Sequence, residues 1–464
     1  MKLRNLAFKR LRGSLALLWL TCLWLWGCET TETARTNDSA ADASSSLSEG
    51  APGKIPFGTS TDAASTGGQD DTSSSATLTL GEVQAIARRH NPTFQEFAAN
   101  LEAARAEILA AQSYPNPEVE LFAGGARSRG TSKEQKAEYA IGLMQPLEMP
   151  GKREARRAAA AAGVTVVERK EETFRTTLRA EVAKAYYLVC FQRRALGLAM
   201  ETATMAGELE AIVQKRVEGG ETAQVDLIKG RIVTLKARRQ AQAERRKLTA
   251  ARIALNTLCG GVLAPNFEPG EDFAASLPTV QSEAARTQAL ANHPALRHLD
   301  AQLAQQRAVI ARERTAWHPD PKPGISVGRQ IDSDSFDVSL GLEIPLWNRN
   351  QGGIAGAQAE LNRLKAERER RRSEIESSLR ASLEMDANAR EQLGAFDTAL
   401  RQGAAEALKI ETFLYQQGEH DLLQLLDARR TARETESEYL QALYDAAIAR
   451  VELEQAIGIG GEDQ

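Results

Sequence analysis

Phe336-Asp337-Val338-Ser339-Leu340-Gly341-Leu342-Glu343-Ile344-Pro345-Leu346 alternates apolar residues with polar or small ones and then meets a proline. Strict period-two alternation gives a strand one apolar face and one wet face. Roughly 200 residues earlier, Tyr139 to Gln145 runs into Pro146-Leu147 in the same manner. Proline lacks the donor that a β-ladder needs, so both stretches are expected to end as strands at Pro146 and Pro345.

Working outward, each stretch has the same neighbours. A partner strand is expected before each, Glu118 to Gly124 across the polar loop Arg127 to Lys136, and Gly324 to Gln330 across Ile331 to Ser335. A proline pair precedes each partner: Tyr114-Pro115-Asn116-Pro117 and His318-Pro319-Asp320-Pro321. Before that lies a helix-like stretch with its own proline, His90-Asn91-Pro92-Thr93-Phe94 or Asn292-His293-Pro294-Ala295-Leu296. Self-similarity of this kind marks an internal repeat, here placed at residues 77–270 and 271–464.

After each strand pair comes a long region rich in alanine and charge. From Gly151 to about Gln214 only Gly163, Gly197 and Gly207 interrupt the pattern, and isolated glycines merely weaken a helix. Roughly sixty residues at 1.5 Å each span about 90 Å. Each long helical region is expected to break once, at Gly219-Gly220 or Gly418, and to return over Val225 to Leu258 or Leu422 to Ile457. The expected fold is therefore mostly α with a β-barrel part, four strands and two long helical hairpins per chain. Small single-chain barrels need about eight strands, so four require further copies, most simply three protomers and twelve strands.

The N-terminus reads as an export signal. Lys2, Arg4, Lys9, Arg10 and Arg12 precede an apolar run from Leu15 to Trp26, too short to span a bilayer. Leu25-Trp26-Gly27-Cys28 resembles a bacterial lipobox, making residues 1–27 a lipoprotein signal and Cys28 the acylated residue. The alternative is a plain signal peptide with an incidental cysteine. Residues 28–76, dominated by Ser, Thr, Ala, Gly and Asp, lack the apolar surface to order themselves and are expected to be a tether.

The chain is 42% hydrophobic but only 5% aromatic, which suits closely packed alanine-rich helices better than a globular enzyme core. The 58 basic and 62 acidic residues are interspersed, without a basic patch, so nucleic acid is not an expected partner. Catalysis finds little support. His90, His293, His298, His318 and His420 lack metal-ligand spacing, and no phosphate loop or nucleophile elbow is present. Cys190 and Cys259 read as buried thiols in helical sequence. No cofactor and no metal site are expected.

Three motifs carry a family resemblance. Gln145-Pro146-Leu147-Glu148-Met149-Pro150-Gly151-Lys152-Arg153 looks like the signature that follows the second strand of outer-membrane efflux proteins. Ile344-Pro345-Leu346-Trp347-Asn348-Arg349-Asn350-Gln351-Gly352-Gly353 resembles the counterpart in their second repeat, and Tyr415-Gln416-Gln417-Gly418 with Leu422-Leu423 and Leu426-Asp427 resembles a third element. The chain is thus similar to the TolC superfamily, most like its Czc/Cus-type heavy-metal branch, over about Leu78 to Gly458. The resemblance implies a homotrimer in the outer membrane of a Gram-negative bacterium: a twelve-stranded barrel continued by a periplasmic helical tube. It also implies a periplasmic adaptor and an inner-membrane RND pump as partners, with passive export of heavy-metal cations as the function.

Two groups of residues follow as sites. Pro146, Gly151, Lys152, Arg153, Pro345, Arg349, Asn350, Gln351 and Gly352 are expected to redirect strand into helix at the barrel junction, by capping or salt-bridging the turn. Gly219, Gly220, Glu221, Tyr415, Gly418, Glu419 and Asp421 are expected at the periplasmic tips, as adaptor contacts and gate. The tip glycines permit the positive φ of a tight turn, and acidic residues repeated around a pore favour cations. A multidrug or type I secretion duct and a structural coiled-coil lipoprotein remain as alternatives.

Overall fold

Along the chain run β1 (Thr77–Leu78), α1 (Leu80–His90), α2 (Thr93–Gln112), β2 (Glu118–Arg127), β3 (Gln135–Met144), α3 (Lys152–Glu218), α4 (Gln224–Leu258) and β4 (Glu268–Pro269). Then follow α5 (Ser282–Asn292), α6 (Pro294–Thr315), β5 (Lys322–Gln330), β6 (Ser333–Gly341), α7 (Gln351–Ala395), α8 (Thr398–Gln417) and α9 (Leu422–Ile457). This computed structural model describes residues 77–127, 135–270, 273, 281–330, 333–396 and 398–459, which belong to one compact unit, Thr72–Gln464. The expected signal (1–27), the acylated Cys28 and the whole of the tether (28–76) lie outside the described residues.

The four long strands form a single antiparallel sheet in the order β2-β3-β5-β6. Its register places Leu121 opposite Ile141, Ile141 opposite Val327, and Val327 opposite Phe336. Directly opposed residues share a face, so Val119, Leu121, Leu143, Ile325, Val338 and Leu340 join them on one apolar surface. The other face carries Glu120, Gly142, Ser326, Asp337 and Ser339. Nothing among the described residues covers the apolar face, on which Leu121 is 78% exposed and Val338 75%.

One expectation about these strands fails. β6 ends at Gly341, not at Pro345, because Gly341 pairs with Lys322, the first residue of β5. Pro319-Asp320-Pro321 delays the start of β5, so residues after Gly341 have no ladder partner among the described residues. Leu346 instead folds back onto the Ile344 carbonyl at 2.9 Å. In the first strand pair, β3 reaches Met144, and the Gln145 N–H still donates to Pro323 O at 3.0 Å before Pro146 intervenes.

α3 runs unbroken for 67 residues through Gly163, Gly197 and Gly207, about 100 Å of helix. It packs against α2 and α6 in its first half and against α4 and α9 further along. The second half of the chain differs from expectation, since its long helix breaks at Phe396 as well as at Gly418. Phe396 leaves helical geometry (φ −76°, ψ 54°) and sets its ring edge-on to Tyr439 of α9, centroids 6.2 Å apart. Charge is also less evenly spread than composition implies. α4 carries Lys229, Lys236, Arg238, Arg239, Arg245 and Arg246, among other bases, against only Asp226 and Glu244.

The main core lies midway along the long helices. Val182, Tyr186 and Val189 of α3 meet Val83 of α1, Leu248 and Leu255 of α4, Phe267, and Leu440 and Leu443 of α9. Tyr186 Oη donates to Leu78 O at 3.0 Å and ties β1 into this core. A second small core, Leu209, Val213, Leu227, Tyr415, Leu422 and Leu425, closes the far ends of the two hairpins.

The prolines that open each half separate two helices rather than kink one. At each break the upper helix sits on the end of a returning one. The Asn91 side-chain amide donates to Leu258 O, at the end of α4, at 3.0 Å. At the second break a Cβ built on Gly458, just past α9, would lie 2.9 Å from Pro294 Cδ. α4 with α2, and α9 with α6, therefore form two spliced columns.

Candidate functional site: the strand–helix junction and the helix tips

Pro146 is buried at the junction, and its two neighbours are stitched to the two proline pairs. The Gln145 side chain donates to Pro115 O (3.0 Å), and the Leu147 N–H donates to Pro321 O (2.8 Å). Gly151 then turns the chain with φ 93°, a conformation an L side chain resists, and α3 begins at the next residue. Lys152 Nζ lies 2.7 Å from Asp320 Oδ2, and Asp320 Oδ1 accepts the Met149 N–H at 3.0 Å. Burial pushes the Asp320 carboxyl up, but Lys152 and the Met149 N–H outweigh it and hold it below the usual carboxylate range. Arg153 stacks over the Tyr114 ring at 4.1 Å. Arg156 pairs with Glu148 and donates to Ser113 O (3.3 Å).

The second junction uses a different residue for the same turn. Asn350 is the only described non-glycine residue with positive φ (59°) and stands immediately before α7 as Gly151 does before α3. Its amide donates to Glu313 O (3.0 Å) and Glu313 Oε2 (2.8 Å), which holds that carboxyl below its ordinary range. Asn is one of the few L residues that enter the left-handed region routinely, and here its amide is anchored on Glu313. The Arg349 N–H donates to Gln351 Oε1, and Gln351 Nε2 donates to Trp347 O. A Cβ at Gly353 would lie 2.4 Å from Asn350 Oδ1, whereas one at Gly352 meets nothing within 4 Å. A side chain at Gly353 would therefore press on the Asn350 amide.

At the far end, each hairpin turns through the same hydrogen-bonded cap. The Glu221 N–H reaches Arg216 O (2.9 Å) and the Gly220 N–H reaches Val217 O (3.1 Å). Likewise the Glu419 N–H reaches Leu414 O (3.1 Å) and the Gly418 N–H reaches Tyr415 O (3.2 Å). Gly220 (φ 75°) and Gly418 (φ 81°) carry the left-handed residue of this Schellman arrangement. Gly219, expected to share that role, is right-handed at φ −79° because the reversal falls one residue later.

Arg216 joins the two tips. Its guanidinium donates to Tyr415 O and Gln416 O, both at 2.9 Å, and lies 4.7 Å from the centroid of the Tyr415 ring. Tyr415 is buried, which raises its phenol pKa. Asp421 N-caps α9 by accepting the Gln424 N–H (3.0 Å), so its carboxylate is already engaged. Glu221 and Glu419 are exposed in equivalent positions, each directly after a left-handed glycine. Among the described residues no three His, Cys, Asp or Glu gather as a metal site.

The outer membrane efflux protein family matches residues 84–261 and again residues 285–459. The chain belongs to that family. Among relatives of this efflux protein, the cobalt-zinc-cadmium resistance protein CzcC of Cupriavidus metallidurans is 25% identical over 384 residues, 82% of this chain and 90% of its own. The nickel-cobalt-cadmium resistance protein NccC of Alcaligenes xylosoxydans xylosoxydans is 28% identical over 291 residues, 60% of this chain and 64% of its own. The solved structure of CusC has the same fold, with a TM-score of 0.68 at 21% identity, over 82% of this chain and 92% of that one.

Several residues that hold this efflux protein's junctions and tips escape sequence reading. Asp320, Glu313, Tyr114, Arg156 and Arg216 act across the fold, and for all but Asp320 nothing local marks the partner. A signal existed for one: Asp320 sits inside a proline pair, where a lone carboxylate with no helix to cap needs another partner.

Proposed function

We propose that the protein is the outer-membrane duct of a tripartite efflux system, a homotrimer that passively conducts heavy-metal cations delivered by an adaptor and an inner-membrane RND pump. One observation carries this reading. Among the described residues, the four-stranded sheet leaves its apolar face uncovered and both outer strands, β2 and β6, without a partner on their outer edge. In lipid such edges are tolerated only in a closed barrel, and three copies pairing β6 to β2 give twelve strands. The wet face of Glu, Ser, Asp and Gly then lines the lumen.

The helices support the same assembly. Val225, Ile228, Ile232 and Leu235 form an exposed stripe on α4 at helical spacing, and Ile410 and Phe413 are exposed on α8. These outer faces of the two hairpins suit a seam between neighbouring protomers. The two successive family matches fit a duplicated chain, with repeats over 77–270 and 271–464. Heavy-metal cargo rests on the names of CzcC and NccC. Glu221 and Glu419 would place six carboxylates around a trimeric tip, which favours cations. Cys28 would add a lipid anchor.

Planar-bilayer conductance of the purified protein, with its mass in detergent, tests this. Trimers with discrete steps whose cation preference falls in a Glu221→Gln, Glu419→Gln double variant are expected. A monomer without conductance overturns it.

A further inference from the structure

The two spliced columns are capped by different chemistry. At the α4–α2 joint Asn91 does both tasks, its amide donating to Leu258 O and its Oδ1 accepting the Thr93 N–H at 3.0 Å. At the α9–α6 joint the equivalent residue is His293, whose Nδ1 accepts the Ala295 N–H at 3.2 Å. Close packing leaves this joint no slack: a Cβ on Gly458 would also lie 3.2 Å from His293 Cα. An amide keeps its acceptor at any pH, whereas imidazole loses its acceptor on protonation.

The surroundings oppose that proton. A cavity of about 470 Å³ beside the joint is lined by Lys184, His293, Arg371, Glu374 and Glu452. Its acids are engaged, Glu452 with Lys184 (2.8 Å) and Glu374 with Arg371 (3.1 Å). On α6, Arg297 pairs with Glu172 of α3, and His298 faces Val166 O and Lys170 of α3 and Glu367 of α7. On α5, Arg286 pairs with Glu376 at 3.9 Å. Burial, with Arg371 opposite, pushes the His293 imidazole down to about 4.

We propose that the α9–α6 joint is an acid-sensitive splice, released when His293 takes up a proton, while the Asn91 joint stays closed. The new charge would face the positive end of α6 as well as Arg371. The neutral ring's contribution is complete above about pH 6.5, falls as pH drops from there, and is lost below about pH 4. α9 begins at the tip cap Asp421 and ends at this joint, so release loosens the column that carries the second tip. The inference needs only the fold and stands apart from the duct reading.

Hydrogen exchange of the full-length protein in detergent, corrected for the intrinsic effect of pH, tests it. Between pH 7 and pH 4, residues 289–297 and 452–459 are expected to gain on the order of tenfold in exchange, with 88–96 unchanged. His293→Asn should abolish the acid response, and Arg371→Gln should move its midpoint to higher pH. An equal response in wild type and His293→Asn, or both joints loosening together, overturns the proposal. If His293→Asn does not fold, an unmoved midpoint in Arg371→Gln overturns it alone.

Discussion

Lys152 and Asp320 join the two halves of the chain at the base of the sheet, Nζ to Oδ2 at 2.7 Å, with Lys152 only 14% exposed. One comes from the motif after β3, the other from the proline pair before β5. Asp320 also takes the Met149 N–H, so a single carboxylate locks the first turn against the second half. Asp320→Ala is expected to cost about 2 kcal/mol by leaving both donors unmatched. Lys152→Met, which spares the Met149 bond, should cost about half of that in thermal unfolding. Equal losses would mean that the backbone bond contributes nothing.

Arg216 predicts the behaviour of the tips. Arg216→Ala removes both carbonyl contacts and the stacking on Tyr415, about 1–3 kcal/mol of tip closure. In bilayers the variant should spend longer in higher-conductance states than the parent, while Arg216→Lys recovers part of the closure. Unaltered gating in Arg216→Ala would remove the tip link from the mechanism.

The left-handed residues before α3 and α7 lose stability on substitution for different reasons. Gly151→Val should destabilise by about 1–2 kcal/mol, because a β-branched residue resists positive φ. Gly151→Asn should cost less. At the other junction Asn350→Gly relieves the backbone but forfeits two bonds to Glu313, so it should lose about 1 kcal/mol rather than gain. Thermal unfolding of the four proteins checks the order.

The sheet faces are separable by charge. Val338→Arg on the apolar face should cost about 2–4 kcal/mol of membrane insertion near the bilayer centre. Asp337→Arg, one residue away on the opposite face, should leave assembly intact and change only ion selectivity. Folding into vesicles measures the first effect and bilayer reversal potentials the second.

Cys259 is fully buried, and burial pushes its thiol up to about 11. Neither it nor buried Cys190 should react with maleimide at pH 8 in the native protein. Both should label on unfolding, as mass spectrometry would show. Native labelling of Cys259 would mean that the central core opens readily.

Much of this molecule is legible in its sequence because its signals are local. Period-two alternation marked the strands, and the return helices Val225 to Leu258 and Leu422 to Ile457 follow from glycine breaks that only a left-handed residue can make. The α7–α8 break was hidden because it depends on Phe396 finding Tyr439 on another helix. The end of β6 was misplaced because a ladder stops where its partner starts, and Pro321 sets that from the neighbouring strand. Gly219 and Gly220 share the sequence signal for the first tip, but the left-handed residue is Gly220 alone. Periodicity and backbone restriction are properties of a few adjacent residues, so the sequence determined element type, order and turning points. The Lys152–Asp320 lock, the Arg216 link between tips and the two spliced columns join residues far apart in the chain. Only the tertiary structure decided these, because such pairings exist once packing has brought the elements together.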